Sequence, residues 1–171
     1  MPRHSSDTRK PFKECETVNI QQIEERVRSI VQQEGRRPRI LLAHLESDQS
    51  DRWTKPLAAF LAEFGFDVDI GPGNQTPSQI ARLAIDSDVH MMCVSIADSS
   101  NQPLVVELAE ALRAEGGDDI KLLAGGSGLK PNHAQLYRAG VDLIVNFDKA
   151  NIDLPDGILH LLDGMSTKRK P

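Results

Sequence analysis

Hydrophobic and polar positions alternate along this chain with two different periods, one typical of helices and one typical of strands. The first helical pattern lies near the N-terminus and predicts a helix that starts at Asn19 and ends near Gly35, where glycine suits a helix C-cap. Its apolar side chains recur three and four residues apart, at Ile20, Ile23, Val27, Ile30 and Val31.

Short apolar runs predict five strands. Ile40–Leu45 and Val89–Ser95 are largely apolar, and the second is nearly continuous, as expected of a central parallel strand covered on both faces. Phe66–Ile70 alternates strictly between apolar and acidic residues, which predicts a strand with one exposed face at the edge of the sheet. Ile120–Ala124 and Val141–Val145 complete the set.

Helices are predicted between these strands. Thr76-Pro77-Ser78-Gln79 is a capping box with proline at the first helical position, and it opens a helix over Ser78–Ile85. The other predicted helices cover Leu57–Phe64, Leu104–Leu112, Pro131–Arg138 and Gly157–Leu162. Alternating strands and helices of this size predict an α/β fold with right-handed crossovers. We expect a flavodoxin-like doubly wound parallel sheet of five strands, order 2-1-3-4-5, with the N-terminal helix added.

This pattern divides the chain into four segments. We expect a flexible arm over residues 1–17, the N-terminal helix over residues 18–36, one α/β domain over residues 37–164 and a basic tail over residues 165–171. A chain of 171 residues is long enough for one domain with a real core.

Composition and charge narrow the class of protein. A net charge of -5 gives no general attraction to nucleic acid or to an anionic membrane surface, so neither is an expected partner. No apolar run approaches the roughly 20 residues of a membrane-spanning helix, and the polar N-terminus lacks the apolar core of a signal peptide. Cys15 and Cys93 fit no metal-ligand spacing and predict no disulfide framework. We therefore expect a cytoplasmic protein.

In an open α/β sheet, ligands bind beyond the carboxyl ends of the strands. The loop after the first strand, Glu46–Asp51, lacks the G-x-G-x-x-G pattern of dinucleotide binding. Gly125-Gly126-Ser127-Gly128 either binds an anion through its backbone N–H groups or is a tight turn whose glycines permit close packing. The spacing alone leaves both interpretations open.

Two other site chemistries are disfavoured. A phosphoreceiver could use Glu46 and Asp48, but the third strand ends without an aspartate to accept the phosphoryl group. His44 and His90 lie in or beside apolar strands, where we expect hydrogen-bonded structural histidines.

Long stretches of the chain resemble one family, the cobalamin-binding domain of methylmalonyl-CoA mutase and related acyl-CoA mutases. The likeness covers roughly residues 35–162. It includes the segments EGRRPRILLAHLESDQSDRW, FGFDVDIGPGNQTPSQIARLAIDSDVH, CVSIA, LAGGSG and YRAGVDLIV.

The resemblance assigns roles to the first loop, which in the family reads D-x-H-x-x-G. The family histidine coordinates cobalt from below and displaces the cofactor's own dimethylbenzimidazole, while the aspartate orients that histidine. Asp48 matches the aspartate, but Ser50 stands at the histidine position and Trp53 at the glycine position. Lys55 matches a lysine near the start of the following helix. A serine hydroxyl is a poorer cobalt ligand than imidazole, so the resemblance implies no metal ligand at Ser50.

The resemblance also implies a site for the buried nucleotide tail of the cofactor. Ser95 matches the serine of the family's S-x-L signature, whereas Ala97 replaces its leucine. Gly125 and Gly126 match a glycine pair that leaves room for the tail. The family's glycine-rich turn after the last strand is replaced here by Asn146-Phe147-Asp148.

Two functions follow from the resemblance, and the sequence leaves both open. In the first, the protein is a small subunit or accessory of an adenosylcobalamin-dependent acyl-CoA mutase, an isomerase. It would dock on a TIM-barrel subunit that supplies the substrate site and would not catalyse the reaction alone. In the second, it is a non-catalytic interaction or regulatory module that has lost cobalamin binding and binds another protein. A third hypothesis, that the crevice binds a nucleotide-like ligand through the Gly125–Gly128 turn, has less support.

Overall fold

The computed structural model describes residues 17–45, 53–96, 98–126, 133–145 and 154–168. The first sixteen residues of the predicted arm, the loop over residues 46–52, Ala97 and Asn146-Phe147-Asp148 lie outside these ranges.

A parallel sheet forms the centre of the described chain. Its strands are β1 (Arg39–His44), β2 (Asp67–Ile70), β3 (Met91–Ser95), β4 (Lys121–Gly125) and β5 (Leu143–Val145). Their spatial order is β2-β1-β3-β4-β5, and every adjacent pair is parallel. The predicted flavodoxin-like order is therefore confirmed, including the position of β2 at the edge.

Helices cover both faces of the sheet. They are α1 (Thr17–Glu34), α2 (Thr54–Glu63), α3 (Pro77–Asp86), α4 (Gln102–Ala114), α5 (Ala134–Ala139) and α6 (Leu154–Lys168). The predicted N-terminal helix is present as α1. The capping box before α3 is also confirmed, because the Gln79 N–H donates to the Thr76 hydroxyl while the Gln79 side chain accepts from the Thr76 N–H.

Several predicted boundaries differ from the structure by two or more residues, and two of these differences have a clear physical reason. The last helix was predicted to end at Leu162, but α6 continues to Lys168, so the first four residues of the predicted tail are helical. It continues because buried Met165 extends the apolar stripe of Ile158 and Leu161 at helical spacing. Strand β5 starts two residues later than predicted, since the Val141 N–H donates to the Leu136 carbonyl and so belongs to the end of α5.

Successive strand residues point to opposite faces of the sheet and enter two buried apolar layers, because helices cover both faces. Ile40 and Leu42 face a layer formed with α1, α2 and α6, whereas Leu41 and Ala43 face a layer formed with α3, α4 and α5. We call the first the α1/α2/α6 layer. None of the helices in the described part of the chain is both long enough and apolar enough to cross a membrane.

His90 connects α1 to the start of β1 and is only 1% exposed. Its Nδ1 accepts a hydrogen bond from the Arg39 N–H (3.1 Å), and its Nε2 lies 2.7 Å from a carboxylate oxygen of Glu34. Because Nδ1 accepts, the ring proton lies on Nε2 and is donated to Glu34. The prediction of a hydrogen-bonded structural histidine at this position is confirmed.

Replacing His90 with leucine should lower the free energy of unfolding by about 2 kcal/mol, because the partly buried Arg39 N–H loses its acceptor and Glu34 loses its donor. Urea denaturation followed by circular dichroism measures this loss. The control is Arg82→Ala, which removes an exposed ion pair with Glu115 (3.7 Å) and should change stability by less than about 1 kcal/mol. Equal effects of the two substitutions would contradict the role of His90.

Candidate functional site

Four residues form a row across the carboxyl edge of the sheet. His44 is the register partner of Ser95, Ser95 of Gly125, and Gly125 of Val145. Register partners on parallel strands point to the same face, so the row faces the α1/α2/α6 layer, to which Val145 belongs. His44 and Val145 are buried and Ser95 is half-buried. The carboxyl edge of the sheet therefore carries, side by side, a histidine, a serine, a glycine and a valine.

A narrow apolar cavity lies between this row and the helices of the same layer, and we call it the apolar slot. Its volume is only about 10 Å³. Its walls come from the sheet, α2 and α6, and consist of Ile40, Leu57, Leu61, Cys93, Leu123, Ala124, Gly125, Val145, Leu154 and Ile158. A space this small and this apolar is dry when it holds no ligand.

Cys93 is the wall residue with a reactive side chain, and it is 5% exposed. Burial disfavours the thiolate and raises the pKa of the Cys93 thiol to about 12. At neutral pH the side chain is therefore a thiol and behaves as a small apolar group. Among the described residues, no group of three histidine, cysteine or acidic side chains could hold a metal ion.

The two glycines at the end of β4 have different structural roles. Gly125 lines the apolar slot. Gly126 has φ +126°, and a Cβ there would collide with the carbonyl oxygen of Ile96 and lie 2.9 Å from its nitrogen. The backbone packs closely because the Ile96 N–H donates to the Gly125 carbonyl (2.8 Å) and the Gly126 N–H donates to the Val145 carbonyl (3.2 Å). Position 126 therefore requires glycine because the backbone packs closely there. Gly125, in contrast, borders the slot.

Trp53 immediately precedes α2, and its carbonyl accepts the Leu57 N–H at 3.0 Å. The indole is partly buried and packs against the α1/α2/α6 layer. Leu57, one helical turn later, forms part of the slot wall. Trp53 is thus a packing residue at the start of the helix that bounds the slot, while Lys55 is exposed to solvent on the first turn.

A second exposed charge lies beyond the carboxyl end of β3. The carboxylate of Asp98 accepts the Ser100 N–H at 2.9 Å and caps the short 3₁₀ turn Ser99–Asn101. Hydrogen bonds from the backbone and side chain of Ser100 lower the pKa of Asp98, so this group stays ionised at neutral pH.

The structure brings together part of the predicted site. Ser95, Gly125 and Gly126 lie side by side at the edge of the sheet, and Trp53 and Lys55 lie at the start of α2. Asp48, Ser50 and Ala97 lie outside the described residues, as do Ser127 and Gly128.

Sequence reasoning missed two parts of the site. The contribution of α6 to the slot, through Leu154 and Ile158, has no local motif and depends on how α6 packs on the sheet. The position of Cys93 could have been inferred, because it precedes Ser95 by two residues on the same strand and so shares its face.

Comparison with known protein families shows the family to which the chain belongs. A family model described as the B12 binding domain matches residues 38–151, which include every strand and the whole row. The chain belongs to the B12 binding domain family. The predicted resemblance is confirmed at this level.

The relatives of this B12 domain are longer proteins. It is 40% identical over 129 residues to the probable mitochondrial methylmalonyl-CoA mutase of Caenorhabditis elegans, an alignment covering 75% of this chain and 17% of that protein. It is 43% identical over 124 residues to the methylmalonyl-CoA mutase large subunit of Streptomyces virginiae, covering 70% and 17%. The B12 domain therefore spans less than a fifth of the length of these relatives.

A solved structure shares the fold. The cobalamin-binding protein from Desulfitobacterium hafniense DCB-2 superposes with a TM-score of 0.57 at 21% identity, covering 75% of this chain and 63% of that one. This similarity supports the doubly wound architecture of the B12 domain.

The thiol of Cys93 should resist modification in the folded protein, because burial raises its pKa to about 12 and removes it from solvent. The measurement uses a Cys15→Ser variant, which leaves Cys93 as the single cysteine, and follows reaction with Ellman's reagent at pH 8. We expect no fast reaction in buffer and full reaction in denaturant. Fast stoichiometric reaction of the native protein would show that the slot wall is open.

Replacing Gly126 with alanine should destabilise the fold by about 3 kcal/mol, because the new methyl group collides with the Ile96 backbone and the positive φ is strained. Gly73→Ala is the matched control, since a Cβ at Gly73 has nothing within 4 Å. Urea denaturation of both variants measures the difference. Equal stability of the two variants would contradict the packing role of Gly126.

Proposed function

We propose that this protein binds a corrinoid with its nucleotide tail in the apolar slot and without histidine ligation of cobalt. In this proposal it acts as a small subunit or accessory of an adenosylcobalamin-dependent acyl-CoA mutase and works in the cytoplasm. The observation that carries the proposal is the apolar slot itself, which lies beside Ser95 and Gly125 in the region matched by the B12 family model.

The chemistry of the described residues supports this proposal, although the slot must open to take the tail. An aromatic base needs an apolar cleft between the sheet and the helices, and the walls of the slot supply one. Gly125 leaves space at the wall, and Ser95 offers a hydroxyl beside it for the polar part of the tail. The slot must widen to admit a bicyclic ring. Because its walls belong to α2, α6 and the sheet, the slot would widen if these helices moved away from the sheet.

The sequence provides no imidazole at the position that ligates cobalt in the family, since Ser50 stands there. Affinity in this proposal therefore comes from the tail and from contacts around it, and we expect weaker binding than a histidine-ligated site gives. When bound, adenosylcobalamin supplies radical chemistry that protein side chains lack. The residues of this chain hold and orient the group, and Trp53 braces the start of α2.

The partner follows from the relatives that carry this domain. Proteins named methylmalonyl-CoA mutase contain it as a small part of their length. We propose that a TIM-barrel subunit docks over the carboxyl edge of the sheet and supplies the acyl-CoA site. The chain alone then has no mutase activity.

Two observations favour a second function, a non-catalytic interaction or regulatory module that no longer binds cobalamin. The slot has almost no room for a ligand in this conformation, and Trp53 fills space at the start of α2 where the family has glycine. The two functions differ in whether the slot opens.

A spectroscopic titration of the protein with adenosylcobalamin and hydroxocobalamin separates them. We expect saturable binding, with a spectrum in which the lower base has left cobalt. Gly125→Val should weaken the affinity by about tenfold or more, because its side chain enters the slot. Arg82→Ala, on the exposed side of α3, is the matched control and should bind as the natural protein does. Thermal melting confirms that each variant is folded.

Lack of binding at high micromolar corrinoid would overturn the proposal. If Ser50→His/Trp53→Gly then restored binding, the second function would be favoured, because the slot would have remained while the ligand was lost.

A further inference from the structure

We infer that the separation of α1 from the domain releases α6 and is the motion that exposes Cys93 to solvent. α1 precedes residues 38–151, which the B12 family model matches, and α6 follows them. The inference goes beyond the proposed function, because it concerns a local opening of the fold and holds whether or not a corrinoid binds.

Within the α1/α2/α6 layer, α1 and α6 form the closest helix pair. Arg26 of α1 and Asp163 of α6 form an ion pair with an N–O distance of 2.6 Å. The buried apolar residues of the two helices belong to one cluster, namely Ile23, Val27 and Ile30 of α1 and Leu154, Ile158, Leu161, Leu162 and Met165 of α6. α1 therefore helps to hold α6 in the layer.

α6 also covers Cys93. Leu154 and Ile158 lie one turn apart on α6 and line the apolar slot together with Cys93 of β3. α1 supplies no wall residue, although it packs on the helix that does. A helix moves as a unit, because its backbone hydrogen bonds join successive turns. Displacement of α6 would therefore carry Leu154 and Ile158 away from the sheet and admit solvent to the thiol.

The contact between α1 and α6 is apolar on its inner side only. On the outer side the helices border an open groove of about 430 Å³ with a mostly polar lining, formed by Gln22, Glu25, Arg26, Ser29, Leu159 and Asp163. The side chains of the ion pair are 47% and 46% exposed, so the pair contributes little to the contact. Segments with few buried apolar contacts open at lower free energy than the core, so α1 should separate before the sheet unfolds.

The other helical wall, α2, is attached to the sheet more directly. Only three residues join α2 to β2, and α2 packs against that strand. At this turn the Phe66 N–H donates to the Leu61 carbonyl at 3.2 Å. These links keep α2 on the sheet, so α6 is the wall that moves when α1 separates.

The test measures the rate at which Cys93 reacts with Ellman's reagent in native buffer, with Cys15→Ser present in every protein. Ile23→Val removes one methyl group from the buried side of α1. Ile80→Val on α3 is the matched control, since both isoleucines are 0% exposed and lie on helices of different layers. We expect Ile23→Val to raise the rate about fivefold, because it weakens the contact that opening breaks, and Ile80→Val to leave the rate nearly unchanged.

Urea denaturation shows whether the two substitutions lower the global stability by similar amounts, and circular dichroism confirms that both variants are folded. A rate that rises as much in Ile80→Val as in Ile23→Val would overturn the inference, because Cys93 would then react only when the whole domain unfolds. An unchanged rate in Ile23→Val would also overturn it, because Cys93 would then become exposed without the separation of α1.

Hydrogen exchange of the natural protein provides a measurement without any substitution. We expect the backbone amides of α1 and α6 to exchange together, at a lower free energy of opening than those of β1 and β3. Exchange of α6 together with the central strands would overturn the inference, because α6 would then stay in place when α1 leaves. Neither measurement involves a corrinoid, so its outcome is independent of whether the proposed function holds.

Discussion

The parallel register of β1, β3, β4 and β5 is the constraint on which the rest of the site depends. Because their register partners align, the four strands bring His44, Ser95, Gly125 and Val145 to one level. A slip of one residue in any strand would turn its side chains to the opposite face of the sheet. Its member of the row would then face the other helical layer. The same alternation that fills both apolar layers therefore fixes which small residues border the slot.

The slot is built from residues that the fold also needs for its core. Leu57 and Leu61 hold α2 against the sheet, and Leu154 and Ile158 do the same for α6. A ligand in this position would take the place of contacts between these helices and the sheet, so binding and stability share the same side chains. Because interiors are close-packed, such a space opens by moving whole elements rather than by small adjustments. The connection between α1 and the sheet at His90 lies at the opposite, amino edge, away from the slot.

Much of the fold could be predicted because each element obeys a local rule. The continuous run around Cys93 indicated a central strand, and Thr76 with Gln79 marked the start of α3. The end of α6 was missed although Met165 continues its apolar stripe, and the start of β5 was missed because Val141 belongs to the end of α5. Ile70 is a similar case. The alternation of β2 indicated a sheet edge, but only the structure shows that this apolar residue is 54% exposed there.

For the site, the sequence predicted the residues but could not distinguish their roles. A sequence motif cannot separate the roles of Gly125 and Gly126. The structure can, because the Ile96 backbone lies so close to Gly126 that only glycine fits there. Gly126 therefore carries no information about a ligand, because any protein with this turn would need it. Gly125 is different, since glycine inside a strand is disfavoured by about 0.5–1 kcal/mol relative to alanine and here it borders an unfilled apolar space. The case for a ligand in this domain accordingly depends on Gly125 and the walls around it, and much less on the glycine pair as a motif.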